Sequence, residues 1–215
     1  MALSEKRIQE NKQEFINLVN SIGREDFDKS RLLFKLENSD FFKSPASTKY
    51  NNSYEGGLCE HSIAVYRALK TLVMSMGMYN DGTSDKGFTE DTLLIVGLFH
   101  DFSKMNFYET YAVNRKVYSE NGSKEDNLGR FDWKSEKAFK VKEAEDRYVF
   151  GTAGQNSERM LSYFTSLSEQ ESAAIIWHRA GMDNHCSDIE LNNVLNKYPL
   201  VVLLHVADMM CSYIK

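Results

Sequence analysis

Proline and cysteine are scarce in this chain of 215 residues, which has two prolines and three cysteines. So little proline, together with a helical period through most apolar segments, argues against a many-stranded β fold. The cysteines, Cys59, Cys186 and Cys211, are odd in number and widely spaced, which fits a reducing compartment better than a disulfide framework. No Cys-x-x-Cys pair exists, so a zinc knuckle is excluded. Apolar runs stay well short of the roughly 18 to 20 residues that span a bilayer, and the first ten residues lack the apolar core of a signal peptide. A cytoplasmic location without a membrane partner is therefore expected. Positive charge is also in deficit: 26 Lys and Arg stand against 31 Asp and Glu, a net charge of −5. Such a surface argues against duplex nucleic acid as a partner, since that is bound by releasing counterions from phosphates. Internal repeats, low-complexity tracts and sustained heptads are missing as well, and no pattern announces an oligomeric state.

What is present is a 42% share of apolar residues, enough to fill one core. The reading is a single, mainly α domain over 1–215, with 1–30 as an N-terminal helical extension and about 105–151 as an insertion. Ser4 caps a helix to about Ile22, with Ile8, Phe15, Leu18, Val19 and Ile22 near one face. A short helix follows around Phe27 to Leu36, then an irregular connection through Pro45 to Gly56-Gly57. A helix from about Leu58 to Met76 turns His61 inward along with Ala64, Val65, Ala68, Leu69 and Leu72. Tyr79 to Phe88 reads as a loop, and Thr89-Glu90-Asp91 as an acidic helix start suited to the helix dipole.

Strand-like segments Ala138 to Lys142 and Arg147 to Phe150, around a turn at Glu143 to Asp146, predict a small inserted β-hairpin. Asn156 or Ser157 starts the next predicted helix, which carries Met160, Leu161 and Phe164. Ser168 and Glu171 form a capping box ahead of Ala173 to His178. Pro199 opens the last helix, a position that suits it.

Chemistry concentrates at the helix ends. His100-Asp101 closes the apolar run Leu93 to Phe99, and imidazole beside carboxylate is a donor set for a divalent cation. His61 lies upstream; His178 and Asp208 lie downstream. Asp208 stands inside Val201 to Met210, where an ionised carboxylate costs several kcal/mol in order of magnitude unless a cation or hydrogen bonds compensate it.

This series of blocks resembles the HD-domain superfamily of metal-dependent phosphohydrolases, in a bacterial and phage branch. The likeness rests on Phe42 to Tyr50, Glu55-Gly-Gly-Leu-Cys-Glu-His61, Leu98-Phe-His-Asp-Phe-Ser-Lys104, Ala174-Ile-Ile-Trp-His178 and His205-Val-Ala-Asp208, and runs from about residue 31 onward. It implies an HD-type helical bundle in which His61, His100, Asp101 and Asp208 bind one divalent ion. Mn, Mg, Fe, Co, Ni and Zn are not distinguished. It further implies that His178 lines the pocket, as a ligand to a second ion or a hydrogen-bond partner of phosphate, and that Lys104 faces a substrate phosphate.

Two positions depart from the branch. Asn51 stands where similar sequences carry histidine, and Ala153-Gly-Gln-Asn-Ser157 replaces a His-Gly-Glu-Lys-Ser-like block. Ala153 has no donor atom and Asn51 is a poor ligand, though it can hydrogen-bond a substrate, so a single ion is favoured. His205 is read as packing or as support for the ligands, and His185 as a loop residue.

The expected function is hydrolysis of a phosphate ester of a nucleotide-like small molecule. Asp101, Lys104 and His178 are the catalytic candidates, and Asn51, Lys104, Arg159 and Arg179 the substrate-binding ones. The rival is a catalytically weakened module of the same fold that binds or sequesters a nucleotide. A single-strand nuclease using Arg115, Lys116, Lys134, Lys137, Lys140 and Lys142 ranks below both. A Cys-His nucleophile built on Cys59 or Cys186 has no spacing in its favour.

Overall fold

Ser4 opens the first helix as its spacing predicts: its side chain accepts the Arg7 N–H at 3.2 Å, and α1 (Glu5–Ser21) follows. The computed structural model describes residues 3–83, 86–179 and 187–214. His185 and Cys186, and the expectations attached to them, lie outside the described residues. After α1 come α2 (Lys29–Glu37) and α3 (Gly57–Ser75), the latter entered through an αL residue, Gly56. Gly57 is required by close approach, since a Cβ there would lie 2.1 Å from the Asn52 carbonyl oxygen.

The segment between Tyr79 and Phe88, read as a loop, contains one short pairing: β1 (Tyr79–Asn80) runs parallel to β2 (Phe88–Thr89). Thr89 then caps α4 (Glu90–Phe99), accepting the Thr92 N–H at 3.3 Å. Every residue from Leu93 to Phe99 is buried, so α4 is central and apolar all round. Gly97 sets its distance from α3. A Cβ at 97 would lie 2.6 Å from the Tyr66 Cα, so only glycine lets the two helices cross this closely. That crossing brings the end of α4 beside His61.

The predicted hairpin exists with different partners. Strand β3 (Tyr108–Tyr118) pairs antiparallel with β5 (Gly129–Val141), from Tyr108 opposite Val141 to Tyr118 opposite Phe131. A short β4 (Lys124–Asp126) pairs on the far side of β5, giving the order β3-β5-β4. Ala138 to Val141 is thus strand, as expected, but Arg147 to Phe150 is not. The N–H groups of Phe150 and Gly151 are instead taken by the Asn156 Oδ1, at 2.8 and 2.9 Å, and lead the chain into a helix. The sheet joins the helices at its base, where the buried Tyr108 hydroxyl donates to the Ala46 carbonyl at 3.3 Å.

That helix, α5 (Ala153–Leu161), starts a turn earlier than Asn156. Thr152 and Gln155 form a capping box that fixes the start, Asn156 serves the preceding loop, and Phe164 falls beyond the helix end. The box predicted at Ser168 and Glu171 is present at α6 (Glu169–Trp177). Helix α7 (Asp188–Lys197) was not anticipated, although Ser187 and Glu190 spell its own capping box. Pro199 opens α8 (Pro199–Tyr213) in its first turn.

Helix α3 packs against α4 and α8, and α6 against α8 and α5. Beneath them Phe15, Phe41, Phe99 and Phe102, all fully buried, meet edge to face, with Phe15 5.0 Å from Phe41 and Phe99 5.5 Å from Phe102 between centroids. Each such ring contributes about 1.5–3 kcal/mol through burial. The described residues are therefore mainly helical, with one three-stranded sheet and the short β1–β2 pairing. Among the described residues no single helix is long and apolar enough to cross a membrane.

Candidate metal centre

Four helices aim polar side chains at one point. Helix α3 supplies His61 from its first turn; α4 ends in His100, with Asp101 next; α6 ends in His178; α8 contributes Asp208. The side chains of His61, His100, Asp101 and His178 are all at least 95% buried, and that of Asp208 is 19% exposed. His61 Nε2 is 3.1 Å from Asp208 Oδ1 and 3.8 Å from Asp101 Oδ2. His100 Nε2 is 3.5 Å from Asp101 Oδ2, and His178 Nε2 is 3.7 Å from Asp101 Oδ1.

For His100 and His178 the backbone decides which ring nitrogen is available, whereas the buried His61 Nδ1 has no hydrogen-bond partner. His100 Nδ1 lies 2.9 Å from the Gly97 carbonyl and His178 Nδ1 2.7 Å from the Ile175 carbonyl. A carbonyl oxygen only accepts, so in the neutral ring the proton sits on Nδ1 and the Nε2 lone pair faces the cluster. That is the outer support metal-binding histidines usually have. His100 Nε2, fully buried, makes no hydrogen bond.

Ligand atoms of His61, His100 and Asp101 all lie within 4.8 Å of one another, so this buried group could hold a metal ion. The donor set suits a divalent cation, and the unpaired buried nitrogen gives it something to satisfy. Asp208 is outside that tightest trio but touches it through His61.

Electrostatics bind the cluster together. Burial by itself would raise the Asp101 carboxyl, but Lys104, with Nζ 2.6 Å from Oδ2, and then His100 and His178 hold it well below the usual carboxylate range. Burial likewise opposes ionisation of Asp208, and the His61 bond overrides it. His61 itself is pushed down by burial, toward the neutral form a ligand needs.

Lys104 sits on the 3-10 turn Phe102–Lys104, which follows Asp101, and its ammonium also donates to the Ala46 carbonyl at 2.7 Å. It borders a cavity of about 260 Å³ together with Asn51, Tyr108, His178, Arg179 and the His61, Asp101 and Asp208 side chains. Asn51 acts on the ligand set through a relay. Its amide donates to Ser212 Oγ at 3.0 Å, and Ser212 Oγ donates to Asp208 Oδ1 at 3.2 Å. His205 supports the cluster as expected, donating from Nδ1 to the His178 carbonyl at 2.8 Å.

One sequence candidate does not arrive. Arg159 stacks its guanidinium over the Phe150 ring at 4.1 Å and does not line this cavity. Because α5 starts at Ala153, Arg159 falls in its last turn beside the incoming loop. Ala153 offers only its carbonyl, which accepts from Ser103 Oγ at 3.0 Å. Sequence reasoning missed Tyr108 and Ser212; neither stands in a recognisable motif.

A larger cavity, about 740 Å³, lies elsewhere and contains none of these donors, so size alone would misplace the chemistry. Fold and site together define a mainly helical protein with a buried His-His-Asp cluster. A scan against protein-family models returns no match, and searches of curated proteins and of solved structures likewise return none.

Proposed function

We propose that this chain is a metal-dependent phosphohydrolase of HD-domain type, acting on a phosphate ester of a nucleotide-like small molecule. The observation that carries the reading is the convergence of His61, His100 and Asp101, with donor atoms within 4.8 Å, beside the Lys104 ammonium and a cavity of phosphate scale. When bound, a divalent ion supplies the Lewis acidity this hydrolysis needs, polarising a phosphoryl oxygen and making water more acidic.

The chain's own residues do the rest. His61, His100, Asp101 and Asp208 would hold the ion. Lys104 is charged, since Asp101 raises its affinity for the proton against the opposing effect of burial, and it offsets charge building on the phosphate. His178 presents Nε2 to the same space as hydrogen-bond partner, and Asn51 and Arg179 border it for substrate. The sheet carries more Lys and Arg than Asp and Glu, but carboxylates pair with several of these cations, which suits a small substrate better than a nucleic acid strand. Lys140 pairs with Glu109 at 2.8 Å, Lys137 with Glu55 at 3.0 Å and Arg115 with Glu136 at 3.5 Å, which leaves little charge for tracking phosphates.

Purified chain with Mn²⁺, Mg²⁺, Co²⁺ or Ni²⁺ is expected to release phosphate or nucleoside from some member of a broad nucleotide panel, and His100→Ala is expected not to. Silence across the whole panel with metal bound would sink the hydrolase reading. A second reading, a nucleotide-binding module without turnover, is favoured by the 2.6 Å contact in which Lys104 already neutralises Asp101. It predicts a nucleotide that raises the melting temperature and is recovered unchanged.

A further inference from the structure

The turn that carries Asp101 and Lys104 has a second set of side chains with no part in the cluster. Phe102 and Met105 face the 740 Å³ cavity instead, which α2 and the segment 145–148 also border. The two cavity linings share no residue, yet both draw on this one turn. The larger space falls within the range of small-ligand pockets, about 300 to 1,000 Å³.

Its chemistry is specific. Phe102 and Phe164 form buried aromatic wall, while Phe34 and Tyr163 stand at the groove 70% and 56% exposed. Exposed rings beside a concave wall leave stacking surface unused. Arg31, Lys35 and Arg147 line the same groove, and among the described residues none of the three is in an ion pair with a carboxylate. Arg31 instead lies over the Phe164 ring at 5.4 Å, and Arg147 over Phe107 at 4.9 Å. Glu145 and Asp146 also border the groove and Asp28 adjoins Arg31, whose backbone N–H and charge help to hold that carboxyl low, which leaves Lys35 as the groove cation in no ion pair among the described residues.

We infer that this groove is a second ligand site, for a planar aromatic molecule carrying an anionic group, separate from the metal cluster and sharing the Asp101–Met105 turn with it. The exposed Phe34 and Tyr163 rings take the planar ring by stacking, and Lys35 takes the anion. The inference goes beyond the phosphohydrolase reading and does not need it, because no metal or turnover enters.

Anilinonaphthalene sulfonate, a planar aromatic anion, is the probe. Titrated into the metal-free chain and followed by fluorescence, it is expected to bind saturably at one site per chain. Phe34→Ala and Lys35→Glu, both at exposed positions on α2, are expected to weaken binding about tenfold or more, while Lys104→Ala, on the other cavity, leaves it unchanged. Circular dichroism melts of the two α2 variants keep folding out of the comparison. Binding that does not saturate, that ignores both α2 substitutions, or that is lost in Lys104→Ala would overturn the assignment.

Discussion

Asp101 and Glu171 are both buried carboxylates in the same helical body, and they are compensated in opposite ways. Glu171 is saturated. Arg24 grips it twice, at 2.6 and 3.0 Å, and the Ser168 N–H donates to it at 2.9 Å, so its oxygens are used. Asp101 has one strong partner, Lys104, and three imidazoles between 3.5 and 3.8 Å whose Nε2 atoms stop short of hydrogen bonding distance. A buried charge whose task is structural fills its bonds locally. One surrounded by donors that almost meet has kept them for something else.

The sharpest break of this contrast is His100→Ala. Removing a donor from the tight trio is expected to abolish stoichiometric metal and to lower any phosphate release on the order of a thousandfold, while the fold survives. Metal content by mass spectrometry beside a circular dichroism melt checks both halves. A variant that retained its ion in full would show that His100 is not one of the ligands.

Stability draws the line from the other side. Glu171→Ala strands Arg24, which is only 22% exposed, and is expected to cost about 2–4 kcal/mol in denaturant unfolding. Asp101→Asn in metal-free protein is expected to cost clearly less, since the amide carbonyl still accepts from Lys104 and the imidazoles make no hydrogen bond to Asp101. Equal losses would erase the distinction.

How much of this was legible depends on how far each residue's neighbours lie along the chain. His61, His100, Asp101, His178 and Asp208 could be picked out because each interrupts an apolar helical run, where a polar side chain demands a reason. The packing that joins them left a local trace as well, in the glycine of Leu93 to Phe99. By contrast, Asn51 meets Ser212 across 161 residues, and neither position looks unusual in its own segment. The strand partners misled for a different reason. Beyond its base, β3 is exposed on both faces, so no apolar alternation marks its register. Arg159 falls in the last turn of α5, where the ring of Phe150 from the incoming loop takes its guanidinium, a contact that nothing in its own segment announces.

The relay offers a smaller test. Ser212→Ala removes the hydroxyl between Asn51 and Asp208, and loss of such outer support is expected to weaken metal affinity about tenfold without changing stoichiometry. Isothermal titration with Mn²⁺ reads it. An unchanged affinity would mean that Asp208 is positioned by His61 alone.

The smallest effect is on the acid limb of stability, and its sign follows from Glu171. Burial would raise this carboxyl, but the Arg24 bond and the Ser168 N–H outweigh it, so its folded pKa lies below the ordinary value of about 4.3. A depressed folded pKa means that the unfolded chain binds the proton first as pH falls. The stabilisation is therefore complete above about 4.3 and drains away as pH drops through the folded value. Glu171→Gln keeps the shape and removes the titration, so its stability curve is expected to be lower than that of the parent at neutral pH and flatter below pH 4.3. Urea midpoints across that window test it. If both proteins lose stability in parallel, the Arg24 pair is not where the acid sensitivity of the body resides, and the saturated carboxylate loses its claim to be the structural member of the comparison.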